Sequence, residues 1–205
     1  EPAISQVFSS LRGVCDLPVV GMMPNDAPEK PDVAFFTLPH ALSQEFVPHY
    51  LDAGIPCVDF SADYRLDDAE TFFDWYATEH PDPARLGTIP YGLPELFREE
   101  ICKASLVANP GCYPTTAILA LAPLLRAGLI ESRDIIIDSK SGVSGAGRKP
   151  KLISLYPECN ESIMAYGVGT HRHTPEIERI LGLALDQVKD DTSAIEVVFT
   201  PHLTP

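Results

Sequence analysis

A cysteine placed between a short strand and a long apolar helix constrains the fold of this chain more than any other feature. Residues 105–108 read as the end of a buried strand, and residues 115–127 are almost continuously apolar, as in a helix buried on most faces. Pro110 and Gly111 break the chain between these two segments. We therefore predict a strand-to-helix elbow with Cys112 at the helix N-terminus, where unpaired N–H groups and the helix dipole favour the thiolate.

Strand-like and helix-like segments alternate along most of the chain, after about 31 residues that show no strong period. We predict strands at 33–38, 57–60, 105–108, 134–139 and 195–200, and helices at 41–53, 67–75, 95–103, 115–127 and 174–185. The last helix is predicted to have Thr174 as its N-cap. This alternation predicts an α/β fold with a mostly parallel sheet and functional groups at the carboxyl ends of its strands.

Composition excludes several classes of protein. Fifteen basic and twenty-nine acidic residues give a net charge of −14, and no Lys/Arg cluster offers a surface for nucleic acid or anionic membranes. Five widely spaced cysteines without a C-x-x-C pair form neither a disulfide framework nor a zinc site. We expect a reducing cytoplasm, no metal, no secretion and no membrane span.

Two histidines next to a capped helix are the partners that a cysteine nucleophile needs. His171 and His173 flank Arg172, and alternate residues of an extended segment share a side, so both rings can face one cleft. A histidine that titrates near neutrality can take the thiol proton and return it to an oxyanion. The residues alone leave open which histidine reaches Cys112. The other four cysteines are interpreted as small buried apolar residues.

A glycine-rich loop at 141–149 could bind an anion. Glycines allow backbone N–H groups to approach an anion closely, and Arg148 and Lys149 add positive charge. The alternative is an ordinary flexible loop. The chain has neither the spacing of a P-loop nor a G-x-G-x-x-G fingerprint, so no motif identifies a cofactor.

Six segments carry a resemblance to a known family. They are residues 59–65, 91–93, 109–115, 141–149, 170–177 and 199–203, in this order over nearly the whole chain. The most specific are the Pro-Gly-Cys-Tyr-Pro-Thr and His-Arg-His-x-Pro-Glu-Ile segments. Together they resemble the N-acetyl-gamma-glutamyl-phosphate reductases, NADPH-dependent enzymes of arginine biosynthesis.

The resemblance implies a fold similar to that of aspartate-semialdehyde dehydrogenase. Residues 1–111 would form part of a Rossmann-type nucleotide-binding domain, and residues 112–205 part of a mixed α/β catalytic and oligomerisation domain. The implied cofactor is NADP (as NADPH), the implied substrate a small-molecule acyl phosphate, and the implied assembly a homo-oligomer, either a dimer or a tetramer.

The resemblance also implies roles for individual residues. By matching position, Cys112 is the nucleophile that forms a thioester, and one of the two histidines, His173 before His171, is the acid–base residue. The other implied contacts are Ser144, Gly145, Ala146 and Gly147 to the nicotinamide half of NADP, and Asn109, Arg148, Lys149 and Arg172 to the substrate.

The chain also departs from the family. Members begin with a strand and a Gly-x-x-Gly-x-x-Gly loop for the cofactor pyrophosphate, and they continue past the last residue here. We therefore expect a fragment or truncated form. The alternatives are a related reductase acting on aminoadipyl or aspartyl phosphate, a Cys–His hydrolase or acyltransferase without nicotinamide, and an inactive fragment used for oligomerisation.

Overall fold

The computed structural model describes residues 2–21, 30–186 and 195–205 of the chain. An N-terminal segment comes first, in which helix α1 (Ile4–Val7) and a 3-10 turn (Ser9–Leu11) are followed by a return of the backbone that pairs Ala3 with Pro18. The sequence shows no strong period in this first segment. Among its described residues, these two short turns are the regular elements.

A three-stranded parallel sheet follows. Its strands are β1 (Ala34–Phe36), β2 (Cys57–Asp59) and β3 (Leu106–Ala108), in the order β1–β2–β3. Between them lie α2 (Ser43–Asp52), α3 (Ala69–Tyr76) and α4 (Pro94–Ile101). Cys57 of the central strand pairs with Ala34 on one side and Leu106 on the other. This parallel pairing confirms the predicted α/β architecture.

Buried carboxylates fix the loops at the carboxyl end of this sheet. Asp59 accepts hydrogen bonds from the backbone N and Oγ of Ser61, at 3.0 and 2.7 Å. Asp63 accepts from the backbone N of Ala41 at 2.7 Å and of Gln44 at 3.1 Å, so it satisfies free N–H groups at the start of α2. Both aspartates are fully buried, and these contacts hold the loops after β1 and β2 together.

The second half of the chain contains a mixed sheet. Its elements are α5 (Cys112–Arg126), β4 (Ile135–Gly142), α6 (Tyr156–Cys159), β5 (Met164–Ala165), α7 (His173–Asp186) and β6 (Val197–Thr204). The strand order is β4–β6–β5, with β4 parallel to β6 over eight residues and β5 antiparallel to β6.

The largest core joins both halves. Helices α5 and α7 pack together through fully buried Ile118, Ile177 and Leu181, and Tyr91 and Phe97 from the first half belong to the same apolar cluster. Each such aliphatic side chain contributes about 1.5–3 kcal/mol on burial. Among the residues that the structure describes, no helix is long and apolar enough to cross a membrane.

Several element boundaries differ from those predicted, and two of these differences affect the site. Helix α7 begins at His173, so Thr174 lies inside the helix, and the prediction that it is the N-cap was wrong. Strand β4 continues to Gly142 because it pairs with β6 as far as Thr204, which converts the start of the predicted loop into strand. Helix α5 begins at Cys112, as the predicted elbow requires, and its first turn includes Pro114 ahead of the apolar run.

Candidate active site

The predicted elbow is present and is held at both ends. The backbone N of Asn109 donates to the carbonyl of Asp59 at 2.8 Å, which ties the loop to the neighbouring strand. Gly111 is the N-cap of α5, and its carbonyl accepts from the backbone N of Thr115 at 3.0 Å and from its Oγ1 at 2.8 Å. Cys112 is therefore the first residue of the helix, and it is exposed. Of the four cysteines predicted to be buried, Cys57 and Cys159 are buried, but the prediction was wrong for Cys102, which is exposed, and for Cys15, which is half-buried.

Cys112 lines a cleft of about 560 Å³ formed by both halves of the chain. The cleft is lined by the loops after β1 and β2, the elbow, the glycine-rich loop, and the segment around the start of α7. Its side chains include His40, Phe60, Arg65, Tyr76, Asn109, Tyr113, Ser141, Lys151, Tyr166, His171, Arg172 and His173. Within the described ranges, no group of three or more His, Cys, Asp or Glu is placed to hold a metal ion.

His173 packs against the elbow. A Cβ built on Gly111 would lie only 2.7 Å from its Nε2, so this nitrogen is directly beside the residue that precedes Cys112. Burial lowers the pKa of His173 to about 4, and the charge of Glu176 acts in the opposite direction. The sequence predicts titration near neutrality. In the folded chain the lowered pKa means that the imidazole is neutral near pH 7, as a proton acceptor must be.

His171 has a different position. Its Nδ1 accepts a hydrogen bond from the backbone N of His173 at 3.2 Å, so its side chain takes the capping role that the sequence assigned to Thr174. Its ring packs against Tyr113 and Phe199 at centroid distances of 5.9 and 5.2 Å. Burial, and then the charge of Arg172, lower its pKa. His171 thus fixes the start of α7.

A buried ion pair connects α7 to the elbow. Glu176 is 0% exposed and Arg65 4% exposed, and Arg65 Nη1 donates to Glu176 Oε2 at 3.2 Å. Glu176 Oε1 accepts from Tyr91 Oη at 2.6 Å and from the backbone N of Gly111 at 2.8 Å. Burial alone would lower the pKa of Arg65, but the Glu176 carboxylate raises it overall. The Arg65 guanidinium therefore stays charged, and the Tyr91 and Gly111 contacts supply the carboxylate with further hydrogen bonds.

Two hydrogen-bonded tyrosines line the cleft that contains Cys112. Tyr166 Oη donates to Tyr113 Oη at 3.0 Å, and Tyr113 Oη donates to the carbonyl of His202 at 3.2 Å. Burial raises the pKa of Tyr166, and the bond to Tyr113 and the proximity of Cys112 act in the same direction. Tyr166 is therefore a neutral phenol within electrostatic reach of Cys112.

The glycine-rich loop presents bare backbone to the cleft. Gly145 and Ala146 line it, at the end of the 3-10 turn Val143–Ala146. A Cβ on Gly145 would lie 2.6 Å from Ser141 Oγ, and Gly147 has a φ of +78°, which a side chain would strain. The conformation of Gly147 therefore favours glycine, and at Gly145 a side chain would have to displace the Ser141 hydroxyl.

The four residues predicted to contact the substrate fall into two groups. The Arg172 guanidinium lies 5.0 Å from the centroid of the Tyr76 ring and lines the cleft, as does Asn109. The Arg148 guanidinium instead lies 4.9 Å from the centroid of the Phe8 ring, and Lys149 is exposed without lining the cleft. Asn109 and Arg172 thus line the same cleft as Cys112, whereas Arg148 and Lys149 do not.

Several residues around the thiol received no role from the sequence. Arg65, Tyr91 and Glu176 lie in segments that carry the family resemblance, yet local sequence does not show that they meet. Tyr166 and Lys151 belong to no recognisable motif. The sequence does contain a hint for Arg65, Tyr91 and Glu176. Each is a polar or charged residue next to an apolar element, and a polar side chain buried there needs a hydrogen-bond partner.

Comparison with known proteins identifies both halves. The family model described as "Semialdehyde dehydrogenase, NAD binding domain" matches residues 2–104, and "Semialdehyde dehydrogenase, dimerisation domain" matches residues 112–205. Two aspartate semialdehyde dehydrogenase structures share the fold. That of the Vibrio cholerae enzyme II has a TM-score of 0.56 at 19% identity, covering 86% of this chain and 52% of that one. That of the Candida albicans enzyme with NADP has 0.57 at 14% identity, covering 95% and 56%.

Curated relatives are more similar in sequence. The N-acetyl-gamma-glutamyl-phosphate reductase of Rhodopirellula baltica is 53% identical over 98% of this chain, and that of Geobacter sp. strain M21 is 49% identical over 98%. The chain spans 57% of the length of each of these two relatives. With both domain models matched in order and the predicted fold confirmed, the chain belongs to the semialdehyde dehydrogenase family.

Proposed function

We propose that the full-length protein carrying this chain reduces N-acetyl-gamma-glutamyl phosphate to N-acetylglutamate semialdehyde, with NADPH, in cytoplasmic arginine biosynthesis. One observation carries the proposal: the exposed Cys112 begins α5, and His173 Nε2 lies against the residue that precedes it. The chain is also 53% identical to an N-acetyl-gamma-glutamyl-phosphate reductase. The NAD-binding domain model and the NADP-bound structural neighbour support a nicotinamide cofactor.

Cys112 is the proposed nucleophile. His173, a neutral imidazole at physiological pH, accepts the thiol proton. The thiolate attacks the acyl carbon, the bond from this carbon to the phosphate oxygen breaks, and phosphate leaves, so that Cys112 carries a thioester. The free N–H groups at the start of α5 favour negative charge on the sulfur and on the adjacent oxyanion.

The glycine-rich loop is the proposed contact to the nicotinamide half of NADP. Ser144, Gly145, Ala146 and Gly147 fit this role, because the side-chain-free backbone at Gly145 faces the cleft that contains Cys112. When bound, NADPH supplies the hydride that reduces the acyl group. The residues of this chain then release the aldehyde: Cys112 leaves as a thiolate, and His173 holds the proton.

Four residues are proposed to bind the substrate. Arg172 and Asn109 line the cleft, and their side chains carry N–H groups that can donate to a carboxylate or phosphate, which supports this role. Arg148 and Lys149 keep the role that the resemblance implies, although Arg148 contacts Phe8 in this structure. We expect Arg172→Ala to raise KM for the acyl phosphate about tenfold or more, and Arg148→Ala to raise it less.

The protein is proposed to act as a homo-oligomer, either a dimer or a tetramer, through the half that matches the dimerisation model. We place the boundary between the nucleotide-binding domain and the catalytic domain after residue 111. His171 is proposed to assist catalysis by holding α7, with His173 as the acid–base residue.

Substrate-dependent NADPH oxidation tests the proposal. The full-length protein should consume NADPH with N-acetyl-gamma-glutamyl phosphate and much less with aspartyl or aminoadipyl phosphate. Cys112→Ser should abolish turnover, and Cys102→Ser, which alters an exposed cysteine outside the cleft, is the matched control. Turnover with aspartyl phosphate alone, or full activity of Cys112→Ser, would refute the assignment.

A further inference from the structure

We infer that Glu176 is a positioning residue, whose buried carboxylate locks the Cys112 elbow to the helix that carries His173. The catalytic role of Glu176 rests on the proposed function, but the contacts of its carboxylate do not depend on the identity of the substrate. Glu176 does not reach the thiol itself. It acts through Gly111, which precedes Cys112, and through α7, on which His173 lies three residues earlier.

The carboxylate of Glu176 accepts hydrogen bonds from three separate parts of the chain. Its partners are the Arg65 guanidinium from the loop after β2, the Tyr91 hydroxyl from the segment before α4, and the backbone N of Gly111 from the elbow. Each contact falls within hydrogen-bond distance, at 3.2, 2.6 and 2.8 Å. A carboxylate can accept from all three donors, whereas an amide must present its NH₂ group to at least one of them.

The relative placement of the two reacting side chains depends on these contacts. Glu176 and His173 are three residues apart on α7, and side chains at that spacing lie on the same face of a helix. His173 Nε2 and Arg65 Nη1 would lie 2.7 and 3.0 Å from a Cβ on Gly111, so both already touch the elbow. The carboxylate therefore sets how closely the imidazole and the elbow approach each other.

The charge of Glu176 also affects the pKa of His173. Burial lowers the pKa of His173, and the negative charge of Glu176 is the largest influence that opposes it. His171, Arg65 and His40 surround the same ring and lower its pKa further. Glu176 thus leaves the imidazole more basic than burial alone would make it, as well as holding it in place.

Glu176→Gln is the direct test. The amide keeps the size of the side chain but must place an NH₂ group against one of three donors, so at least one contact is lost. Glu178→Gln is the matched control: it changes a carboxylate on the same helix that accepts one backbone N–H, from Val197 at 3.0 Å. Tyr91→Phe is a milder second variant, because it removes one donor and leaves the other two.

The readout is the rate at which iodoacetamide alkylates Cys112 in the full-length protein, identified by peptide mass, together with kcat and KM. We expect Glu176→Gln to slow alkylation about tenfold and to lower kcat with little change in KM. Tyr91→Phe should slow alkylation by about two- to threefold, and Glu178→Gln should leave it unchanged.

A double-mutant cycle separates positioning from general destabilisation. In a His173→Gln background, Glu176→Gln should slow alkylation by less than about twofold, because its effect passes through His173. An equal effect in both backgrounds, or wild-type alkylation in both Glu176→Gln and Tyr91→Phe, would overturn the inference. Alkylation requires no substrate. A wild-type protein inactive toward every acyl phosphate would therefore refute the proposed function without affecting this test.

Discussion

Replacing Gly111 with alanine is the smallest change that tests the geometry of the site. The backbone of Gly111 has φ −66° and ψ 156°, a conformation that any residue adopts, so the substitution introduces no backbone strain. The added methyl group is the whole perturbation. It would lie 2.7 Å from His173 Nε2 and 3.0 Å from both Arg65 Nη1 and Pro114 Cδ.

The size of the effect follows from these distances. Ordinary van der Waals contact begins at 3.4 Å, so the imidazole must move by about 0.7 Å, and the other two neighbours by about 0.4 Å. Arg65 is held by Glu176, which leaves the His173 ring to move most. Overpacking of this kind costs about 1–3 kcal/mol of stability. A displacement approaching 1 Å at a reacting group lowers kcat/KM by about 10- to 100-fold.

Thermal unfolding, Cys112 alkylation and steady-state kinetics of the full-length protein measure these effects. Gly142→Ala is the matched control for unfolding and alkylation, since its backbone is also extended at φ −60° and its nearest neighbour would lie 3.7 Å away. We expect the control to retain wild-type stability and alkylation. If Gly111→Ala matches the wild-type protein in kcat/KM, His173 is not the partner of Cys112.

Three further variants test other parts of the structure by urea unfolding of the full-length protein. Gly182→Ala should raise the free energy of unfolding by about 0.5–1 kcal/mol, because no neighbour obstructs a Cβ in the middle of α7; no gain would show that the helix is not formed there. Asp63→Ala should lower it by about 2 kcal/mol, because the N–H groups of Ala41 and Gln44 lose their acceptor, and an unchanged value would contradict that capping role. Burial lowers the pKa of His173 to about 4, so the unfolded chain binds more protons than the folded one between pH 6.5 and 4, and stability falls as the pH falls through this window. His173→Gln should remove about 2 kcal/mol of that loss at pH 5, and an unaltered pH dependence would refute the lowered pKa.

The elements predicted best from the sequence are those whose signals are local. The breakers Pro110 and Gly111 lie between two apolar segments, and the elbow forms where they place it, with α5 starting at Cys112. The alternation of strands and helices in the first half predicts the parallel pairing, because such a sheet buries its apolar strands between the crossover helices. Local pattern and tertiary packing require the same structure in these segments.

The start of α7 shows where local signals mislead. Thr174 followed by a proline has the sequence of a helix N-cap, but the side chain of His171 accepts the first N–H, and the helix starts one residue earlier. The pKa of His173 is equally out of reach of the sequence, since it depends on burial by segments distant in the chain. Arg148 likewise looks available for substrate until the structure places it against Phe8.

The Glu176 cluster explains why the residues of the site could be predicted individually but not their arrangement. Its three partners are 65, 85 and 111 residues away in sequence, so no window of local sequence contains any of these contacts. A fully buried carboxylate is stable only when all of its partners are in place, because each unsatisfied donor or acceptor costs about 1–3 kcal/mol. The elbow, the loop after β2 and the start of α7 must therefore assemble together. Cys112 and His173 consequently reach a defined relative position only in the complete fold.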